Sequence, residues 1–185
     1  MIIGLTGPLG SGKGVIATHL QELGFKYYSL SNTVREEAKL RNIKFTRENL
    51  QKLGNLLREE FGVGVWAIKT MEKIDVLANV VIDGIRNPGE VEELKKNPDF
   101  ILIGINAPRK TRLQRIKGRN RPSDPKTFAE LKAVEERDRG VGEANTGQQV
   151  QACLDKADFI IENTKDKEHI FNQLEEIFSK KDISF

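Results

Sequence analysis

Five short apolar runs punctuate the chain: Met1 to Thr6 (MIIGLT), Phe25 to Ser29 (FKYYS), Asn79 to Asp83 (NVVID), Phe100 to Asn106 (FILIGIN) and Asp158 to Glu162 (DFIIE). Each has the length of a strand, and most are apolar at consecutive positions, as a strand buried on both faces requires. The polar sequence between them has helical spacing. A helix is predicted over Lys13 to Leu23, stopped by Gly24. Thr33 to Glu36 has capping-box spacing and should open a second helix running to Arg41. Thr46 to Phe61 places Leu50, Leu53, Leu57 and Phe61 on one face, and Val65 to Leu77 reads as helical too. Asn87, Pro88 and Gly89 read as a turn before a short helix from Glu90 to Lys96. A basic helix over Arg109 to Lys117, a loop over Gly118 to Pro125 and a helix over Lys126 to Arg139 follow. Residues 140–147 are Gly-rich and read as flexible; Val150 to Lys156 and Glu168 to Phe178 are the remaining helices. Strands that alternate with helices predict an α/β fold, a parallel sheet with helices on both faces. No repeat, low-complexity segment or linker interrupts it, so residues 1–185 are expected to form one domain.

The junction of the first strand and first helix carries the strongest chemical signal. Gly7, Pro8, Leu9, Gly10, Ser11, Gly12, Lys13, Gly14 and Val15 fit the pattern G-x-x-x-x-G-K. Glycines at that spacing let backbone N–H groups converge on phosphate oxygens, and the helix N-terminus adds partial positive charge. A lysine there reaches the β- and γ-phosphates of a nucleotide. Gly14 stands where such loops usually carry the Ser or Thr hydroxyl that ligates Mg²⁺. Any Mg²⁺ must then be held by nucleotide oxygens, water and carboxylates elsewhere.

Composition narrows the partners. The 185 residues are 38% hydrophobic and 31% charged, with a net charge of +3. The pI of about 8.9 suits an anionic ligand but is too mild to imply nucleic acid. Cys153 is the single cysteine, which excludes an intramolecular disulfide and a cysteine-rich zinc site, and suits a reducing compartment. No apolar run has the length of a membrane span, and the N-terminus lacks a signal-peptide pattern, so a cytoplasmic location is expected. Arg109 to Arg121 holds seven Lys or Arg in thirteen positions. After a phosphate loop, such a segment reads as a lid that brings charge to a moving phosphoryl group and excludes water. Its extent is about 115–140, with Pro122, Ser123, Asp124 and Pro125 at the tip. Asp83, at the end of its strand, sits where open α/β sheets bind ligands. His19, His169 and Cys153 read as packing residues, and Trp66 as core or a pocket wall.

The loop is similar to that of adenylate kinases, G-x-P-G-x-G-K-G-T, with the proline shifted by one and Val15 in place of Thr. The likeness to nucleoside monophosphate kinases continues in Leu30-Ser31-Asn32-Thr33-Val34-Arg35 and in Asp83-Gly84-Ile85-Arg86. It implies that Arg35 and Arg86 bind the acceptor phosphate and that Asp83 holds Mg²⁺ through water. Arg115 and Arg119 match the R-x-x-x-R entry to the lid of those enzymes; Arg137 and Arg139 would close from the returning helix. Asn163, after the last strand, matches a position that contacts the donor base in relatives. Stretches such as Arg47 to Arg58 and Val81 to Val91 resemble dephospho-CoA kinase-like proteins, deoxynucleoside monophosphate kinases of phage type, and a P-loop domain fused to deoxycytidylate deaminases.

The resemblance implies a three-layer P-loop NTPase fold with a five-stranded parallel sheet and a small arginine-rich lid. It implies ATP and Mg²⁺ as cofactors and transfer of the γ-phosphate to a small phosphorylated acceptor, a ribo- or deoxyribonucleoside monophosphate. Two alternatives stay open. Dephospho-CoA kinase is one, although Ser29-Leu30-Ser31 replaces that family's D-x-D. A nucleotide-binding regulatory module with little turnover, serving a deaminase-type partner, is the other. Oligomeric state is open as well.

Overall fold

In the computed structural model, which describes every residue except 76, 122–123, 142–143, 182 and 184–185, five strands form one parallel sheet. The strands are β1 (Ile2–Thr6), β2 (Lys26–Ser29), β3 (Val80–Ile85), β4 (Phe100–Asn106) and β5 (Phe159–Glu162). Their order is β2-β3-β1-β4-β5, with β1 central. Ile3 of β1 is in register with Val81 of β3 and Ile101 of β4, and every residue of β1 is buried. A strand covered on both faces and both edges needs an unbroken apolar run, which MIIGL supplies.

Helices cover both faces. On one lie α2 (Leu30–Leu40), α3 (Arg47–Phe61), α4 (Val65–Met71), α5 (Pro88–Leu94) and α8 (Val150–Asp155). The core there joins Leu57, Trp66, Ile82, Leu94, Leu102 and Cys153. On the other lie α1 (Lys13–Glu22) and α9 (Lys167–Lys180), whose Leu20, Ile170 and Leu174 pack on Leu5, Val81 and Ile103. His19 belongs to this packing, its ring stacked on Phe171 at 4.0 Å. Helices α6 (Arg109–Arg119) and α7 (Phe128–Asp138) follow β4. This is the expected three-layer α/β architecture.

Several boundaries differ from the sequence expectation, each for a local reason. Helix α2 begins at Leu30, directly after extended Ser29, whose side chain makes no capping bond, so the Thr33 to Glu36 capping box does not form. Thr33 is buried inside the helix, its hydroxyl paired with that of Thr70 at 2.9 Å. Helix α4 ends at Met71, six residues short of the expected Leu77. Asn87-Pro88-Gly89 is not a free turn. Asn87 caps α5, Pro88 takes its first turn and Glu90 completes the capping box. Phe61 ends α3 at 57% exposure, away from the buried stripe of Leu53 and Leu57. Of the 140–147 segment expected to be flexible, 145–147 is tied down by hydrogen bonds to Asn87 and Arg58.

Candidate functional site

The phosphate loop leaves the C-terminal end of β1 and turns into α1. Gly7 and Gly12 show why glycine is required. Their φ angles are +141° and +110°, in the region that L side chains avoid. A Cβ on Gly7 would lie 2.2 Å from the Ile105 carbonyl oxygen, and one on Gly12 would lie 2.0 Å from Asn163 Nδ2. The loop is thus a cradle of bare backbone at a helix N-terminus. Lys13 Nζ folds back over it, donating to the carbonyls of Gly7 (2.6 Å) and Pro8 (3.2 Å). Burial pulls the Lys13 ammonium down to about 8, with Asp83 opposing that fall and Arg86 adding to it. Ser11 Oγ is buried without a hydrogen-bond partner, a cost that a phosphate oxygen would remove. Loop and orphan together fit a polyphosphate.

Asn163 braces this loop from β5. Its side chain is buried, donates to the Ser11 carbonyl at 2.8 Å and accepts from Arg115 Nη2 at 2.7 Å. Arg115 also reaches the Ser11 carbonyl at 3.5 Å and the Asn163 carbonyl at 3.4 Å. Both residues therefore sit under the loop.

One cavity of about 1250 Å³ runs from this loop across the C-terminal edge of the sheet. It is lined by the whole loop except Pro8, and by Arg35, Asp83, Arg86, Arg115, Arg119 and Asn163. Residues scattered over 150 positions of sequence therefore meet around one space, because the strand ends of a parallel sheet all open on one side. Asp83 accepts from the Gly84 amide at 2.6 Å and, at a long 3.5 Å, from the Tyr27 hydroxyl. Burial and the Asp83 charge hold the Tyr27 phenol above its ordinary range, which keeps it a donor. Arg35 is exposed at the rim and hydrogen-bonded to Asn32 at 3.1 Å. Arg119 forms a two-point pair with Asp124 at 2.6 and 2.7 Å. The lid tip at Pro122 and Ser123 lies outside the described residues.

Arg137 and Arg139 are not brought to this cavity. Both are exposed, and Arg139 instead borders a recess of about 60 Å³ with Pro8 and Arg112. The inward face of the α7 end is Asp138, which is buried and lines both spaces. Helical geometry explains the exchange, since neighbours in a helix point about 100° apart and only one of the three faces the cavity.

The sequence reading also passed over Arg47, Arg58, Glu90 and Gln148. Arg58 Nε and Nη2 donate to Glu90 Oε1 at 3.2 and 2.7 Å, and both side chains are almost completely buried. Glu90 Oε2 takes the backbone N–H groups of Arg86 (2.8 Å) and Asn87 (3.0 Å). Arg58 Nη1 continues to the Thr146 carbonyl at 3.1 Å, and Asn87 Nδ2 to the carbonyls of Asn145 and Gly147. Arg58 falls next to Leu57 on the buried stripe of α3, and a charge at such a position implies a buried partner. Asn87 and Glu90 have capping-box spacing, a signal the sequence did contain.

Metal handling follows from Gly14 and Asp83. Nothing lies within 4 Å of a Cβ placed on Gly14, so the loop has neither the hydroxyl nor a substitute at that point. Among the described residues no group of three or more His, Cys, Asp or Glu could hold a metal ion. The described donors fit a Mg²⁺ ion carried by the nucleotide, with the Asp83 carboxylate at the cavity wall able to hold it through water. No described helix is long and apolar enough to cross a membrane.

Comparisons with known proteins place the chain in a family and a fold. The family model described as AAA domain matches residues 3–140. A UPF0200 protein of Pyrococcus horikoshii is 34% identical over 187 aligned positions, covering 97% of each chain. A UPF0200 protein of Pyrococcus furiosus is 38% identical over 186 positions, covering 97% of this chain and 96% of that one. Among solved structures, shikimate kinase of Acinetobacter baumannii superposes with a TM-score of 0.59 at 20% identity, over 97% of this chain and 94% of that one. A gluconokinase of Sinorhizobium meliloti gives 0.56 at 12% identity, over 96% and 91%. At these identities the two structures show the shared fold.

Proposed function

The chain belongs to the UPF0200 family of AAA-domain proteins, with the P-loop kinase fold, and on that premise we propose that it is a phosphotransferase carrying the γ-phosphate of ATP to a small phosphorylated acceptor. The acceptor of this reading is a ribo- or deoxyribonucleoside monophosphate. The observation that carries it is the single cavity joining the phosphate loop to Arg35 and Arg86. Its volume of about 1250 Å³ exceeds what one drug-sized ligand fills, and suits two ligands placed end to end.

In this reading Lys13 and the loop amides hold the donor phosphates. Arg115 and Arg119 lie at the donor end, near the transferring group. Arg86 fixes the acceptor phosphate, with Arg35 at the rim. Asp83 would hold Mg²⁺ through water; the ion, when bound, neutralises phosphate charge. A phosphate acceptor is already ionised at neutral pH and needs no general base, so the protein's work is alignment and charge. Burial of reactants under the 115–140 segment would exclude water from the transfer. A cytoplasmic site of action belongs to the same reading.

A second reading is transfer to an alcohol, as in dephospho-CoA kinase. The observation in its favour is the Asp83 carboxylate at the cavity wall, placed to accept a hydroxyl proton. A regulatory module that binds nucleotide with little turnover draws on the open space at Gly14. One experiment separates all three: ADP production from Mg-ATP with each common nucleoside monophosphate, with dephospho-CoA, and with no acceptor. Stimulation by one monophosphate is the expected result. Stimulation by dephospho-CoA alone would select the alcohol, and ATP binding without stimulated turnover would select the module.

A further inference from the structure

The acceptor end of the cavity holds an anion of the protein's own. Asp138 Oδ1, at the C-terminal end of α7, lies 3.3 Å from Arg47 Nη2, at the N-terminal end of α3. In the amide orientation that satisfies both its neighbours, Gln148 donates to the same Asp138 oxygen at 2.8 Å and accepts from Arg86 Nη1 at 3.3 Å. Arg47, Arg86, Asp138 and Gln148 all line the one cavity. They come from four separate segments, and no local constraint groups them.

Asp138 is in an unfavourable place for a carboxylate. It is buried, and the C-terminal end of a helix repels negative charge. Arg47 and Gln148 bond to it across the cavity, and the Lys13 ammonium adds a favourable charge at longer range. The two nearby arginines differ in kind. Arg58 is committed to Glu90 by two bonds in a fully buried pair and frames the site. Arg47 makes one longer contact, and its side chain is 33% exposed, free to swing. Gln148 is held in position, since the next residue's amide donates to the Arg86 carbonyl at 2.6 Å and Gly147 is bonded to Asn87.

We propose that Arg47 and Gln148 complete the acceptor-anion subsite with Arg86, and that the Asp138 carboxylate occupies this subsite until the phosphate of an acceptor displaces it. The proposal rests on the reading of the acceptor as a phosphate ester. A dianionic phosphate offers Arg47 and Arg86 more charge and more acceptor oxygens than one carboxylate, so the exchange runs forward for that class of ligand. A neutral acceptor could not drive it. The carboxylate thus adds selectivity for phosphorylated acceptors by penalising everything else.

The test is calorimetric titration of inorganic phosphate and of AMP, with the phosphate loop saturated by a non-hydrolysable ATP analogue and Mg²⁺. Four proteins are compared: wild type, Asp138→Asn, Arg47→Gln and the double variant. Asp138→Asn should bind both ligands roughly two- to tenfold more tightly, and the gain should vanish when Arg47 is absent. A gain of equal size with and without Arg47 would reduce Asp138 to a remote charge and overturn the proposal. Unchanged or weaker binding in Asp138→Asn would also overturn it, while binding of AMP by the wild type would leave the acceptor reading intact. Binding of neither ligand to any of the four would overturn both.

Discussion

Asn163 Nδ2 lies 2.8 Å from the carbonyl oxygen of Ser11, joining the end of β5 to a loop that precedes it by 152 residues. The same side chain accepts from Arg115, so one buried amide fixes both the loop and the Arg115 guanidinium. Asn163→Ala should leave the Ser11 carbonyl without this partner and lower unfolding free energy by about 1–3 kcal/mol. ATP affinity should fall with it, because the cradle is no longer held in its binding form. Urea unfolding and nucleotide titration check the two effects together; a stability loss with unchanged affinity would separate Asn163 from the nucleotide site.

Lys13 gives the site a pH signature. Its ammonium titrates near 8 in the folded protein against an ordinary 10.5. Between those values the unfolded chain binds more protons, so this group makes the ligand-free protein more stable as pH rises from about 8 to about 10.5, and below that its contribution is constant. Bound phosphates favour the charged form, so nucleotide affinity should weaken above pH 8 by up to roughly tenfold per unit, with proton uptake on binding. Calorimetry in buffers of different ionisation enthalpy measures that uptake, and Lys13→Met should erase it.

Gly14 tests metal handling directly. Since a Cβ there meets nothing within 4 Å, Gly14→Ser should be accommodated in α1. Helix propensity alone should add about 0.5 kcal/mol of stability. The new hydroxyl supplies the missing Mg²⁺ ligand, so the Mg²⁺ concentration for half-maximal turnover should fall. An unchanged Mg²⁺ dependence would show that the ion sits away from residue 14.

Asp83→Asn distinguishes the two acceptor classes. With a monophosphate acceptor, turnover should drop about 10- to 100-fold at low Mg²⁺ and recover as Mg²⁺ is raised. Loss that no Mg²⁺ concentration reverses would instead assign Asp83 to proton removal from an alcohol.

Arg58 and Glu90 form an almost completely buried ion pair at the cavity wall. Glu90→Gln should cost about 3 kcal/mol, since it leaves the guanidinium without its counter-charge. The loss should reach the 145–147 segment, which shares Arg58 and Asn87 as donors, and should appear as faster hydrogen exchange there. Protection unchanged in that segment would count against the coupling.

Strands, phosphate loop and most helices were legible because they depend on local patterns: apolar runs, glycine spacing and helical periodicity. That Asp83, Arg86 and Asn163 border one cavity was legible because Asp83 lies near the C-terminal end of β3 and the other two just follow a strand, and strand ends converge. The rest was not local. Arg47 opens α3, Asp138 ends α7 and Gln148 lies just before α8, a meeting that no spacing in the chain encodes. Arg137 and Arg139 were favoured over Asp138 by charge alone, whereas facing is set by helix rotation. The start of α2 was missed because β2 runs straight into it at Ser29, with no side-chain cap to mark the boundary, while the expected cap Thr33 is spent on Thr70 inside the helix.

The central place of β1 also sets a timetable for synthesis. Its partners β3 and β4 begin at Val80 and Phe100, so the first strand leaves the ribosome long before either edge can be paired. At typical elongation rates of about 5–20 residues per second, the wait is roughly 4–20 s. During it Ile2, Ile3 and Leu5 form an apolar ribbon with neither edge paired. That ribbon is the segment most in need of a chaperone, and overproduction that outruns chaperone supply should aggregate through it.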